Sequence, residues 1–195
     1  MFLLLALLAG LITGVGLARR DNRPYQAPEL RAIWLAFAAF GPQLMVAYLP
    51  ATRDILPDGV ASAVFVTSLL VFLAFAWLNR QLPGMPLLLA GLLLNLTVIL
   101  ANGGWMPISP ETARRLPGVD VIPGLNPGSR FGQKDILLPA QDTNLELLTD
   151  RFLLPVWPSY RVAFSFGDAL IAAGVFWLLA RPPQRIHEKK KRDVP

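Results

Sequence analysis

The chain has 195 residues, of which 54% are hydrophobic and only 16% charged, with a net charge of +5, one histidine and no cysteine. Soluble domains carry roughly 25% charged residues. Without Cys a disulfide scaffold and a zinc–cysteine site are excluded, the apolar content excludes a disordered chain, and what remains is an integral membrane protein.

Five nearly uncharged stretches run through the sequence: 2–18, 32–49, 60–78, 86–103 and 162–180. Each is close to the roughly 17–25 residues with which a helix crosses about 30 Å of hydrocarbon. Backbone amides in lipid must be bonded within their own segment, so each stretch is predicted to be helical. The first lacks a basic leader and is followed by Arg19 and Arg20, the pattern of an uncleaved anchor. Its Gly10 and Gly14 form a small-xxx-small motif, which predicts close helix packing. In the second, Pro42 cannot donate to the carbonyl of Ala38, and a kink is expected there.

The segments after stretches one, three and five hold eleven Lys and Arg, including Arg19, Arg31, Arg80 and Lys189. The positive-inside rule therefore predicts an inner-membrane protein with its N-terminus outside and its C-terminus in the cytoplasm. Trp34, Trp77 and Trp177 fall at predicted inner ends, and Tyr48, Trp105, Trp157 and Tyr160 at outer ends, where aromatic rings meet headgroups. The expected organisation is one five-span domain over 1–180 and a basic cytoplasmic tail over 181–195. That tail is suited to anionic lipids, which leaves no need for a nucleic-acid partner; His187 lies within it and is no ligand.

The 105–161 loop is rich in Pro and Gly, yet contains Ile108, Val121, Ile136 and Leu137. It is read as a compact extracytoplasmic cap. Thr143-Asn144-Leu145-Glu146 has the form of a capping box, predicting one short surface helix with Leu145 and Leu148 on apolar material. Asp142, Glu146 and Asp150 would share a face of that helix. A solvated acidic face is the reading, since no fixed metal-ligand spacing is present. No metal and no cofactor is expected, and no span contains a histidine that could hold haem.

Polar residues within spans mark candidate sites. Gly91, Asn95 and Asn102 lie on one stripe of the fourth stretch, Ser165 and Asp168 on one face of the fifth, and Gln43 follows Pro42 in the second. All the polar members fall in the outer halves of their spans. Asp168, Ser165, Asn102, Asn95 and Gln43 are therefore the ligand-binding candidates, lining a pocket roofed by the loop. Asp168 is the one charge inside any stretch. Its carboxyl is expected near Asn102 and Ser165, with Arg53 or Arg130 as the cation reaching in. No nucleophile motif or phosphate-binding loop accompanies these residues, so no catalytic residue is assigned.

Two segments, Asn95–Pro107 with its Asn-Gly-Gly-Trp-Met-Pro ending and Asp150–Gly174 with Phe-Ser-Phe-Gly-Asp, resemble the bacterial domain of unknown function 5317 family of small polytopic membrane proteins. The resemblance implies a multi-span inner-membrane protein and no activity. The expected function is a non-enzymatic accessory or ligand-binding membrane protein, with the bilayer and a membrane protein as partners. The alternatives are a transporter or channel component using Asp168, and an embedded enzyme acting on a lipid-linked substrate.

Overall fold

A computed structural model describes residues 2–48, 57–117, 126–132, 134–157 and 160–181. The chain is mostly helical. Its long apolar helices are α1 (Phe2–Arg20), α2 (Ile33–Tyr48), α3 (Asp58–Leu78), α4 (Met85–Ala101) and α6 (Phe166–Ala180). Leu3–Arg20 and Asp58–Leu78 are long and apolar enough to cross a membrane, and the other three are shorter apolar helices.

The helices pack as neighbours in the order α2, α3, α4, α6, α1. Small residues fix the closest approaches. A Cβ on Gly91 would meet the Gly167 carbonyl and lie 2.8 Å from Ile171 Cγ1, and one on Gly174 would lie 2.6 Å from the Gly84 carbonyl. Gly84/Gly91 on one helix and Gly167/Gly174 on the other thus let the α4 and α6 backbones touch at two points a heptad apart. Gly10 and Gly14 do the same against Phe176 and Leu179 of α6, in keeping with the small-xxx-small reading. Leu69, Leu92, Leu96, Ile99, Met106 and Ile171 form the main buried cluster between α3, α4, α6 and the cap.

At the opposite end of the bundle from the cap, Asn79 fastens the α1–α2 connection to the α3–α4 turn. Its amide accepts from Arg31 N at 2.7 Å and donates to Arg31 O at 2.9 Å and Phe75 O at 2.8 Å. Both hydrogen-bonding groups of Arg31 are thereby satisfied as they would be in a strand pair.

The cap departs from the all-α expectation. It contains β1 (Met106–Ile108), the short α5 (Pro110–Arg114), β2 (Arg130–Phe131), β3 (Asp135–Leu137), two 3₁₀ turns (Ala140–Asp142 and Glu146–Leu148), and the hairpin β4 (Phe152–Trp157) and β5 (Tyr160–Phe164). One sheet has the order β1-β3-β2, with β1 parallel and β2 antiparallel to β3. Ile108, Ala113, Phe131 and Leu137 form its core.

Two local expectations are corrected. Thr143 caps no helix: its hydroxyl donates to the Pro139 carbonyl at 2.8 Å, and Leu145, at φ 55°, precedes the Glu146–Leu148 turn with no side-chain cap. The cause lies in Asn144, whose backbone N–H donates to Asn102 Oδ1 and whose amide donates to Ala101 O, both at 2.9 Å. Those bonds hold the segment against the end of α4 and away from helical geometry. The fifth helix, expected from 162, begins at Phe166, because 160–164 is the second strand of the hairpin, with Phe164 opposite Phe152. Asp168 is therefore in the first turn of α6, rather than two turns below its end.

Candidate functional site

The site forms where the cap meets the C-terminal half of α4 and the N-terminal end of α6. Ser165 and Asp168 make a complete capping box: Ser165 Oγ accepts from Asp168 N at 3.0 Å, and Asp168 Oδ2 accepts from Ser165 N at 3.3 Å. Two otherwise orphaned amides at the start of α6 are satisfied this way. From α4, Asn95 donates to Asp168 Oδ1 at 2.7 Å and accepts from Ser165 Oγ at 2.9 Å. The bare Cα of Gly167 makes room for that amide, since a Cβ there would collide with Asn95 Oδ1.

The cap contributes Lys134, Asp135 and Asp150. The Met106–Lys134 backbone bond (3.0 Å) and the parallel β1–β3 pairing set Lys134 and Asp135 at the base of the sheet. The Asp150 N–H donates to Pro107 O at 3.2 Å, so β1 also fixes the third residue. Lys134 Nζ donates to Asp150 Oδ2, lies 3.3 Å from Asp135 Oδ1 and reaches to 3.9 Å from Asp168 Oδ2. One ammonium thus faces three carboxylates, and through Asp168 it links cap to bundle. Asp150 is only 1% exposed, and among the described residues its Oδ1 has no hydrogen-bond donor. Among the described residues no three His, Cys, Asp or Glu side chains are placed to hold a metal ion; the cation at the centre of this cluster comes from the chain itself.

Burial, acting against the pull of Lys134, pushes the Asp150 carboxyl up to about 7, and burial raises Asp135 likewise. Burial alone would lower the Lys134 ammonium, but Asp135, Asp150 and Asp168 outweigh it and hold that group well above the usual lysine range. An unfolded aspartate releases its proton near about 3.9. Between about pH 4 and 7 the folded chain keeps a proton that the unfolded chain has lost, so stability falls as pH rises through that window. Asp150→Asn should flatten this slope, because its amide is neutral throughout. Thermal midpoints of both proteins in detergent across the window check it; an unchanged slope places the proton elsewhere.

Of the candidates from sequence, Asp168, Ser165 and Asn95 form one network. Asn102 does not join it: its amide donates to Val98 O and Asn144 O, and its oxygen accepts from Asn144 N. Gln43 is half-buried on α2, a helix whose main packing partner is α3. Arg130 is engaged elsewhere, 3.1 Å from Asp58 Oδ1 and stacked over Trp105 at 4.5 Å, and Arg53 lies outside the described residues. Asp142, Glu146 and Asp150 do not share a helical face: Asp142 is exposed, Glu146 sits 3.5 Å from Arg151, and Asp150 turns inward. Lys134 and Asp135 escaped sequence reasoning. Lys134 precedes β3 and Asp135 opens it, and a three-residue strand is too short to show an alternation.

The sequence profile of a family of unknown function, DUF5317, matches residues 28–180. The chain belongs to that family. No curated protein and no solved structure matches it.

Proposed function

We propose that this DUF5317 member is a multi-pass inner-membrane protein whose five long helices all span the bilayer, with the N-terminus and the cap outside and the C-terminus in the cytoplasm. One observation carries the reading. Every one of the five helices leaves large apolar side chains uncovered: Leu8 and Ile12 on α1, Phe37 and Phe40 on α2, Leu70 on α3, Leu93 and Leu100 on α4, and Phe176 on α6. A water-soluble bundle of this size would cover such faces, whereas hydrocarbon solvates them. Trp34, Trp77 and Trp177 are exposed at the ends assigned to the inner interface, and Arg80 stacks on Trp77 at 4.5 Å. The basic residues after Arg181 are assigned to anionic headgroups of the inner leaflet. Reporter fusions after Leu49, Asn79, Gly128 and Pro195 should read out, in, out and in. A cytoplasmic reading at Gly128 rejects the orientation.

Within that membrane the protein acts, on this reading, as a non-enzymatic accessory or ligand-binding subunit. Asp168 supports this over a general-base role, because both its oxygens are engaged in capping α6 and in binding Asn95. Purification from native membranes in mild detergent should retain a membrane partner at fixed stoichiometry. A transporter component is the second reading, favoured by the enclosed Asp150 carboxylate and its partly exposed partner Lys134. Its marker is proton flux in liposomes that Asp150→Asn abolishes.

A further inference from the structure

We propose that the Leu145–Leu147 turn of the cap is immersed in the outer leaflet at the boundary of headgroups and acyl chains. The cap is then wetted by lipid on one flank instead of standing clear of the membrane. The inference rests on the multi-span reading and extends it to a surface outside the helices.

Leu147 is 73% exposed and Leu145 46% exposed, in a turn that contributes only Leu148 to the core. Leu145 holds a left-handed backbone, φ 55° and ψ 43°. That conformation is unfavourable for a residue with a Cβ. Leu145 is held in this conformation by the bonds of the preceding Asn144.

The depth of the turn is fixed by hydrogen bonds. Asn144 N donates to Asn102 Oδ1, Asn102 Nδ2 donates to Asn144 O, and Asn144 Nδ2 donates to Ala101 O, each at 2.9 Å. The turn therefore begins level with the end of α4, next to Leu100, which is itself exposed on the face assigned to lipid. At about 1.5 Å per residue, the 17 residues of α4 and the 15 of α6 extend roughly 26 and 23 Å, short of about 30 Å of hydrocarbon. An apolar rim at their outer ends continues the belt that these helices leave unfinished. Phe152 on β4 and Phe166 at the start of α6 are further exposed aromatic rings, and Phe152 packs on Phe164 at 5.5 Å. The charges on this flank suit an interface: Glu146 and Arg151 are paired at 3.5 Å, and an arginine stem can lie on apolar surface with its head in water.

The chain has no cysteine, so single-cysteine variants report one site each. Leu147→Cys, Leu100→Cys and Glu111→Cys, all at exposed positions, are labelled with a nitroxide in vesicles of phosphatidylethanolamine and phosphatidylglycerol. Collision rates are then compared for oxygen, which partitions into lipid, and a nickel chelate, which stays in water. Leu147 and Leu100 should both favour oxygen several-fold and Glu111 the chelate. If Leu147 behaves as Glu111 does while Leu100 favours oxygen, the immersion is wrong and the spanning reading stands. Chelate preference at Leu100 as well rejects both. A Leu147 label shielded from both reagents places a protein, a second copy included, on this surface and overturns the assignment to lipid.

Discussion

Lys134→Met should destabilise the protein by about 3 kcal/mol and loosen the cap from the helices. Removing one partner of a buried ion pair typically costs about 3–5 kcal/mol, because the charge left behind has no solvent. Here three carboxylates remain, and Asp150 among them is almost fully enclosed. Lys134 is one-third exposed, which places the expected loss at the lower end of that range. The thermal midpoint in detergent at neutral pH measures the effect. Adding Asp150→Asn should restore part of it, since without the lysine the Asp150 carboxyl is pushed further up and must take up a proton to stay buried, which the amide need not. A double variant no better than Lys134→Met would show that the cluster does not act as one unit.

Gly167→Ala should cost a similar amount, about 3 kcal/mol, the upper part of the range for overpacking. The added methyl would strike the Asn95 amide, with Cγ 2.7 Å away, and sit 2.8 Å from the Gly91 carbonyl. Neither backbone can yield without separating α4 from α6 and parting Asn95 from Asp168. Gly16→Ala is the control: nothing lies within 4 Å of a Cβ there, and alanine is the better helix former by about 1 kcal/mol. Equal thermal midpoints for the two variants would mean that the α4–α6 contact is looser than described.

The helices were legible because lipid-length apolar windows leave an unmistakable record, and Gly10 and Gly14 announced a contact that α6 makes. Asn95, Ser165 and Asp168 were legible for a related reason: helical periodicity converts spacing into a shared face. The cap was not. Thr143-x-x-Glu146 and Ser165-x-x-Asp168 carry the same local signal, and only the second became a capping box. Asn144 decided between them by bonding the end of α4, a partner 42 residues away in sequence. Lys134 was equally hidden, brought to Asp168 by a parallel strand pair across a connection that has no periodic pattern.

The packing order α2, α3, α4, α6, α1 has a consequence for biogenesis. The first of the five long helices to leave the ribosome docks on the last of the five, through Gly10 and Gly14 against Phe176 and Leu179, and the Tyr25 hydroxyl after it donates to Leu179 O at 3.1 Å. At about 5–20 residues per second, α1 waits on the order of 10 s for its partner to be synthesised. On the proposed multi-span reading its small-residue face is meanwhile open to lipid or to other helices in the membrane. Assembly is therefore completed only when α6 is made, and a chain truncated before α6 leaves α1 unclaimed.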